Sequence, residues 1–251
     1  MIDYEFPLNE RVRTLLRLEA LYIKMARFMD QPGALEHQVA LLTLFEILEV
    51  ASRADLKPDL LQELERQKRL LTALHNNPEI SEVALEETLN EIENTSTRLF
   101  DMSGKVGQYL RENEWLMGIK QRAGIPGGTC EFDLPSYHYW LHQDSAIRCD
   151  HLKSWLAPLT PIRDGMTILL NLLRESGKMR RFTAHQGSFQ QMQGGRVAQM
   201  LRIKLDDTLP CVPEVSANKY VLNIRFVGAD YAAKSILYDQ DIAFDLTFCT
   251  L

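Results

Sequence analysis

From Asn9 to about Arg122 the apolar residues return every three or four positions, the spacing of helices with one buried stripe. The first run carries Val12, Leu15, Leu16, Leu18, Leu21, Tyr22, Met25 and Phe28 behind Asn9, whose side chain suits an N-cap. Pro32-Gly33 breaks it. The second run carries Val39, Leu42, Leu44, Phe45, Leu48 and Val50, and the polar turn Ser52–Lys57 closes it. Pro58, at home in a first helical turn, opens a third run with Leu60, Leu61, Leu64 and Leu70 to Leu74. Asn76-Asn77-Pro78 is a turn, and a fourth helix is predicted from Ser81 to Phe100, with glutamates in its first turns against the positive end of the helix dipole. A fifth block, Val106 to Arg122, carries Tyr109, Leu110, Trp115, Leu116 and Ile119. Five amphipathic segments joined by short turns predict a helical bundle.

The pattern changes at Ile125–His142, IPGGTCEFDLPSYHYWLH. Pro126-Gly127-Gly128 stops the preceding helix, and Cys130, Phe132 and Leu134 alternate with Glu131 and Asp133, which predicts a strand over 129–134. Pro135 ends that strand, and Ser136 is placed to cap a helix carrying Tyr137, Trp140 and Leu141. His151–Ser176 predicts a long helix kinked at Pro158 or Pro161 and capped at Gly177. Beyond it the period drops to two. Arg180–Met192 and Val197–Leu205, joined at Gly194-Gly195, predict a hairpin whose second arm turns Leu201, Ile203 and Leu205 to one face and Arg202 and Lys204 to the other. Tyr220–Val227 and Ile236–Leu246 predict further strands, and the alternation of Tyr4, Phe6 and Leu8 allows a short one at the start. The expected fold class is α+β, an N-terminal α-helical bundle followed by a smaller antiparallel β domain with a long helix between. The expected domains are an α-helical one over 1–124, with which helices at about 136–176 also pack, and a β-strand one over 125–251. The strands of the latter are expected mainly in 178–251, plus 129–134.

Composition adds exclusions. The formal net charge is −6 over 251 residues, so the molecule as a whole is not built to coat nucleic acid. The first residues, MIDYEFPLNERVR, contain no apolar core of a signal peptide, and no apolar run reaches the roughly 20 residues of a membrane span. Cys130, Cys149, Cys211 and Cys249 never form a CxxC pair, which fits free thiols in a cytoplasmic protein.

Candidate chemistry is sparse. His138 and His142 lie four apart on a predicted helix with Cys130 nearby, but Tyr139 stands where an HExxH motif needs its glutamate, so packing or capping is expected rather than a metal. Gly127-Gly128 and Gly194-Gly195 lack phosphate-loop contexts, and there is no GxSxG elbow. Trp115, Trp140 and Trp155 stand at core spacing, and the carboxylates of Glu86, Glu87, Glu91 and Glu93 read as a solvated face. Neither an enzyme nor a cofactor is expected. One charge feature stands out. From Lys178 to Lys204 the chain carries Lys178, Arg180, Arg181, Arg196, Arg202 and Lys204 without one acidic residue, and Lys219 and Arg225 follow. Such a face suits an acidic partner, because guanidinium forks grip carboxylates and opposite charge speeds encounter. The bland alternative is a solvated sheet face, or one neutralised by acids of the helical half. Arg53 joins the set only if folding brings it there. Nucleic acid fits less well, since aromatic residues do not interleave with the basic ones.

The segments PLNERVRTLLRLE (Pro7–Glu19), LLQELERQ (Leu60–Gln67), VGQYLRENEWL (Val106–Leu116) and IPGGTCEFDLPSYHYWLH resemble, in order and spacing, the signature stretches of the ZapD family of bacterial cell-division proteins. The resemblance implies a helical and a β-strand domain, a homodimer without enzymatic activity, and binding to the C-terminal tail of the tubulin-like FtsZ. It also implies cross-linking of FtsZ filaments into bundles, in the cytoplasm at midcell. Basic residues of the family grip the tail, and the matching positions here are Arg53 and Arg225. Where some relatives carry another arginine four residues before the latter, this chain has Val221, with Lys219 two residues earlier. The candidate tail-binding set is therefore Arg53, Lys178, Arg180, Arg181, Arg196, Arg202, Lys204, Lys219 and Arg225. An adaptor for nucleic acid or another acidic partner is the alternative use of the same face.

Overall fold

The computed structural model describes residues 1–53, 55–192, 198–229 and 236–251. Along the chain run β1 (Ile2–Pro7), α1 (Glu10–Met29), α2 (Ala34–Ala51), α3 (Leu56–Thr72), α4 (Glu82–Asp101), α5 (Gln108–Arg111), α6 (Glu114–Ala123) and α7 (Pro135–Leu141). Then come α8 (Ser145–Leu156), a 3-10 turn at Ala157–Leu159, α9 (Thr160–Glu175), β2 (Arg180–Ala184), β3 (Ser188–Met192), β4 (Met200–Leu205), β5 (Cys211–Ala217), β6 (Val221–Gly228) and β7 (Ile242–Cys249). The fold class is α+β, as expected. Two compact units divide it: Arg17–Leu169, which is helical, and Met1–Leu16 with Leu170–Leu251, which holds the strands. The division falls inside α1 and inside α9.

In the helical unit, α2 is buried over most of its circumference, and Ala40, Leu41, Leu44, Ile47, Leu48 and Ala51 are all fully buried. A helix with so little polar surface belongs near the centre of a bundle. The α3–α4 hairpin packs Leu60, Leu64, Leu85, Ile92 and Leu99 inward. Gly165 of α9 lets this hairpin approach, since a β-carbon there would lie 3.1 Å from Leu99 Cδ1 and 3.4 Å from Leu64 Cδ1. The sequence's cap residues act as such: Asn9, Ser81, Asn113 and Asp144 each accept a hydrogen bond from a backbone amide of the first turn. Ser136 does not. Pro135 begins α7, and the Ser136 hydroxyl instead accepts from Trp115 Nε1 at 3.0 Å.

One buried network ties α2 to α7 and α8. Arg148 is 5 % exposed, and no carboxylate of the described residues lies within ion-pair distance of it. Its Nε donates to His37 Nδ1 at 3.0 Å, its Nη2 to the Pro32 carbonyl at 2.7 Å, and its Nη1 to the carbonyls of Leu141 and Gln143. Because His37 Nδ1 accepts, its Nε2 carries the proton and donates to the Met29 carbonyl at 3.2 Å. Burial and the adjacent guanidinium both hold the His37 pKa below its ordinary value.

The strands form two antiparallel sheets rather than the one expected. The first has the order β1-β4-β7-β2 and the second β3-β6-β5. Their facing sides share one core of Leu201, Ile203, Leu205, Leu222, Ile224, Phe226, Ile242, Phe244 and Leu246. Phe244 sits at its middle, with ring centroids of Phe226 at 5.0 Å and Phe189 at 5.2 Å. Two expectations fail here. The expected hairpin does not form, because Arg180–Met192 is two strands in two sheets and β4 pairs with β1 and β7. Gln186 and Gly187 break that arm with φ of 47° and 70°. A β-carbon on Gly187 would stand 2.3 Å from the Tyr238 carbonyl oxygen, so only glycine lets the chain pass from one sheet to the other there. The Gly194-Gly195 turn and Val197 lie outside the described residues. The strand expected at 129–134 is a succession of turns, in which Phe132 is 81 % exposed. Alternation without a neighbouring strand edge leaves nothing to pair with.

Candidate functional site

Strand register decides which of the basic residues are free. On the outward side of the first sheet, Asp3 and Glu5 of β1 oppose Lys204 and Arg202 of β4. Lys204 in turn opposes Asp245 of β7, and Asp245 opposes Arg181 of β2. The face is a ladder of alternating sign. Arg202 lies 3.4 Å from Glu5 and 3.7 Å from Asp3, and Lys204 lies 3.7 Å from Asp3. Arg174 of α9 grips Glu5 through both oxygens, each at 2.8 Å. Arg202 and Lys204 therefore spend their charge on the chain's own first strand.

The outward side of the second sheet is different. Its rows are Ser188–Arg225–Glu214, Gln190–Asn223–Ser216 and Met192–Val221, with Val212 opposite Val227. Leu222, Ile224 and Phe226 alternate with these residues and point into the core, which is why Arg225 must point out. Arg225 is exposed and, among the described residues, makes no ion pair. Met192 is 71 % exposed on the same face, opposite Val221 and two rows along from Arg225. At the β5–β6 turn, where the Asn218 side chain accepts from the amides of Tyr220 and Val221, the Lys219 ammonium stands 4.7 Å over the Tyr220 ring. One cation, a stripe of amides and hydroxyls, and apolar ends make a surface for a ligand with both carboxylate and apolar groups.

The remaining candidates are dispersed. Lys178 and Arg180 are exposed just before and at the start of β2. Arg196 lies outside the described residues. Arg53 belongs to the helical unit, exposed in the α2–α3 turn. That turn is fastened by Arg111 Nη2 donating to Ser52 Oγ at 2.5 Å and by Lys57 Nζ donating to the Met102 carbonyl at 2.7 Å. Sequence reading missed the acidic counterparts Asp3, Glu5 and Glu214. For the first two the signal was present, in Asp3 and Glu5 alternating with Tyr4 and Phe6.

For metals, the described residues hold one group of three ligand-type side chains, His75, Glu82 and Glu86. His75 Nδ1 lies 2.5 Å from Glu82 and its Nε2 3.7 Å from Glu86, and the Glu82 carboxylate raises the His75 pKa. This is the geometry of an imidazolium bridging two carboxylates. Cys130, His138 and His142 form no such group; His142 Nδ1 is hydrogen-bonded to the His138 carbonyl at 2.9 Å. The three tryptophans do converge, with ring centroids 5.7 to 6.0 Å apart, and Trp140 is buried among them. A groove of about 790 Å³ beside α5 is lined by Met102, Lys105, Val106, Tyr109, Pro158 and Pro161. No described helix is long and apolar enough to cross a membrane.

Comparison with known proteins gives a consistent result. The family model described as "ZapD: Cell division protein" matches residues 16–225. Relatives named cell division protein ZapD include one from Azoarcus sp. (strain BH72), 59 % identical over 251 residues and covering all of both chains. Another, from Aromatoleum aromaticum, is 57 % identical over all of this chain and 98 % of its own. That of Chromobacterium violaceum is 55 % identical over 99 % of each. A match of this extent, on top of the four signature segments read from the residues, makes the chain a member of the ZapD family of cell division proteins.

Proposed function

We propose that this protein captures the C-terminal tail of FtsZ and, as a homodimer, cross-links FtsZ filaments into bundles at the division site, in the cytoplasm at midcell. The observation that carries the proposal is Arg225, exposed and without an ion pair among the described residues, on a sheet face that also offers Met192 and Val221. A flexible tail with acidic and apolar residues finds both kinds of contact there. Lys219, at the adjoining turn, extends the positive charge, and Lys178, Arg180 and Arg181 add to the field that steers an acidic segment inward. Arg53, in the helical unit, is the other position to which the family resemblance points. Arg202 and Lys204 serve the stability of the first sheet rather than the tail. Two copies of the site on a two-fold dimer hold two filaments at once, and the second capture benefits from the high local concentration created by the first.

Filament co-sedimentation tests the proposal. Wild-type protein should pellet polymerised FtsZ as bundles at low centrifugal force. Arg225→Glu should leave the filaments in the supernatant while the variant keeps its fold. Undiminished bundling by Arg225→Glu would refute the assigned surface.

A further inference from the structure

The residue directly across from Arg225 on β5 is Glu214, on the same outward face and exposed. Cross-strand neighbours of this kind stand about 5 Å apart at their β-carbons, well within reach of a glutamate and an arginine. Yet no ion pair joins them, and among the described residues Glu214 makes no other. On the opposite side Arg225 faces only Ser188. Among the described residues, the guanidinium thus faces a carboxylate across the strands and is not fixed by it.

We infer that Glu214 is an internal repelling charge that sets the affinity of the Arg225 face for acidic peptides. The inference rests on the tail-binding role proposed above. A carboxylate arriving from a ligand must approach the like charge of Glu214 to reach the guanidinium. That repulsion weakens binding, and it is a property of one exposed side chain whose removal leaves the core untouched. The first sheet supplies the contrast: there, Arg202 and Lys204 pair with their cross-strand carboxylates. On the second sheet the same kind of register pair is left open. A single glutamate thereby keeps the capture of a filament tail reversible.

The test is a fluorescence-anisotropy titration of a labelled FtsZ C-terminal tail peptide with wild type, Glu214→Gln and Glu175→Gln. Glu175 is an exposed carboxylate at the end of α9, so its variant makes the same change in net charge. Glu214→Gln should bind about three- to fivefold tighter than wild type, the scale of one exposed ion pair. The gain should fade at about 0.5 M salt, where the screening length is only a few ångströms. Glu175→Gln should match wild type. Equal affinities for wild type and Glu214→Gln would overturn the role of Glu214 while leaving tail binding intact. Equal gains in both variants would do the same, by reducing the effect to net charge. Failure of the wild type itself to bind would overturn the underlying tail-binding proposal.

Discussion

Replacing Arg148 by methionine should cost about 3–5 kcal/mol of folding stability, measured by equilibrium urea denaturation near pH 7.5. Methionine keeps most of the stem's length and apolar bulk, so the loss isolates the polar head. That head serves four acceptors: His37 Nδ1 and the carbonyls of Pro32, Leu141 and Gln143. Each hydrogen bond from a charged donor contributes about 1.5–3 kcal/mol, but the sum is an overestimate, because a buried cation also gives up its hydration. What remains after the substitution is the penalty for buried acceptors without donors. A change below about 0.5 kcal/mol would mean that water or a local shift satisfies them equally well.

The same network fixes a pH dependence. His37 is neutral in the fold, and its pKa is held below the ordinary value of about 6.5 that applies when the chain unfolds. Below that pH the unfolded chain binds the proton more readily than the folded one. The stability from this group is therefore present above about pH 6.5 and lost as the pH falls toward the folded pKa. Its slope is at most about 1.4 kcal/mol per pH unit. His37→Asn, which keeps an acceptor for Arg148 but cannot titrate, should flatten this acid limb in a series of melts between pH 7.5 and 5. His75 has the opposite sign, since its raised pKa stabilises the fold below about pH 6.5 and is lost as the pH rises through the raised value.

Arg225→Glu should weaken the affinity for an FtsZ-tail peptide by about 30- to 100-fold. Losing one charge-assisted contact accounts for about a tenfold effect, and reversing the sign places a carboxylate beside Glu214 and in the path of an acidic ligand. Arg202→Glu should behave oppositely. It would set a glutamate against Asp3 and Glu5, lowering the melting temperature while changing peptide affinity less than about threefold. The pair of variants separates the two outward faces, which carry similar residue types and differ in their cross-strand partners.

Much of the fold was legible because its signals are local. Asn9, Ser81 and the Pro158 interruption announced helix starts and a break within a few residues of where they occur. The sheet was less legible because pairing is not local. Arg180–Met192 alternates well enough to pass for one strand, and only the backbone turn at Gln186-Gly187 reveals two. The same limit left the charge reading open between a free basic face and a neutralised one. An unbroken absence of acids between Lys178 and Lys204 looked like an open basic face, yet β4 lies beside the first strand of the chain, where Asp3 and Glu5 meet it. Arg225 and Glu214 are eleven positions apart in sequence but adjacent in the sheet, and no spacing rule links them. The stretch Cys130–Leu134 shows the converse, since alternation alone made no strand.

The central claim is that an acidic FtsZ tail lies on the outward face of β3, β6 and β5. Titrating isotope-labelled protein with unlabelled tail peptide and following backbone amide resonances reads this directly. The expected shifts fall on Ser188, Gln190, Asn223, Arg225 and the Lys219 turn, while amides of Asp3, Glu5, Arg202 and Lys204 stay in place. Shifts confined to the β1–β4 face, or to neither sheet, would contradict it.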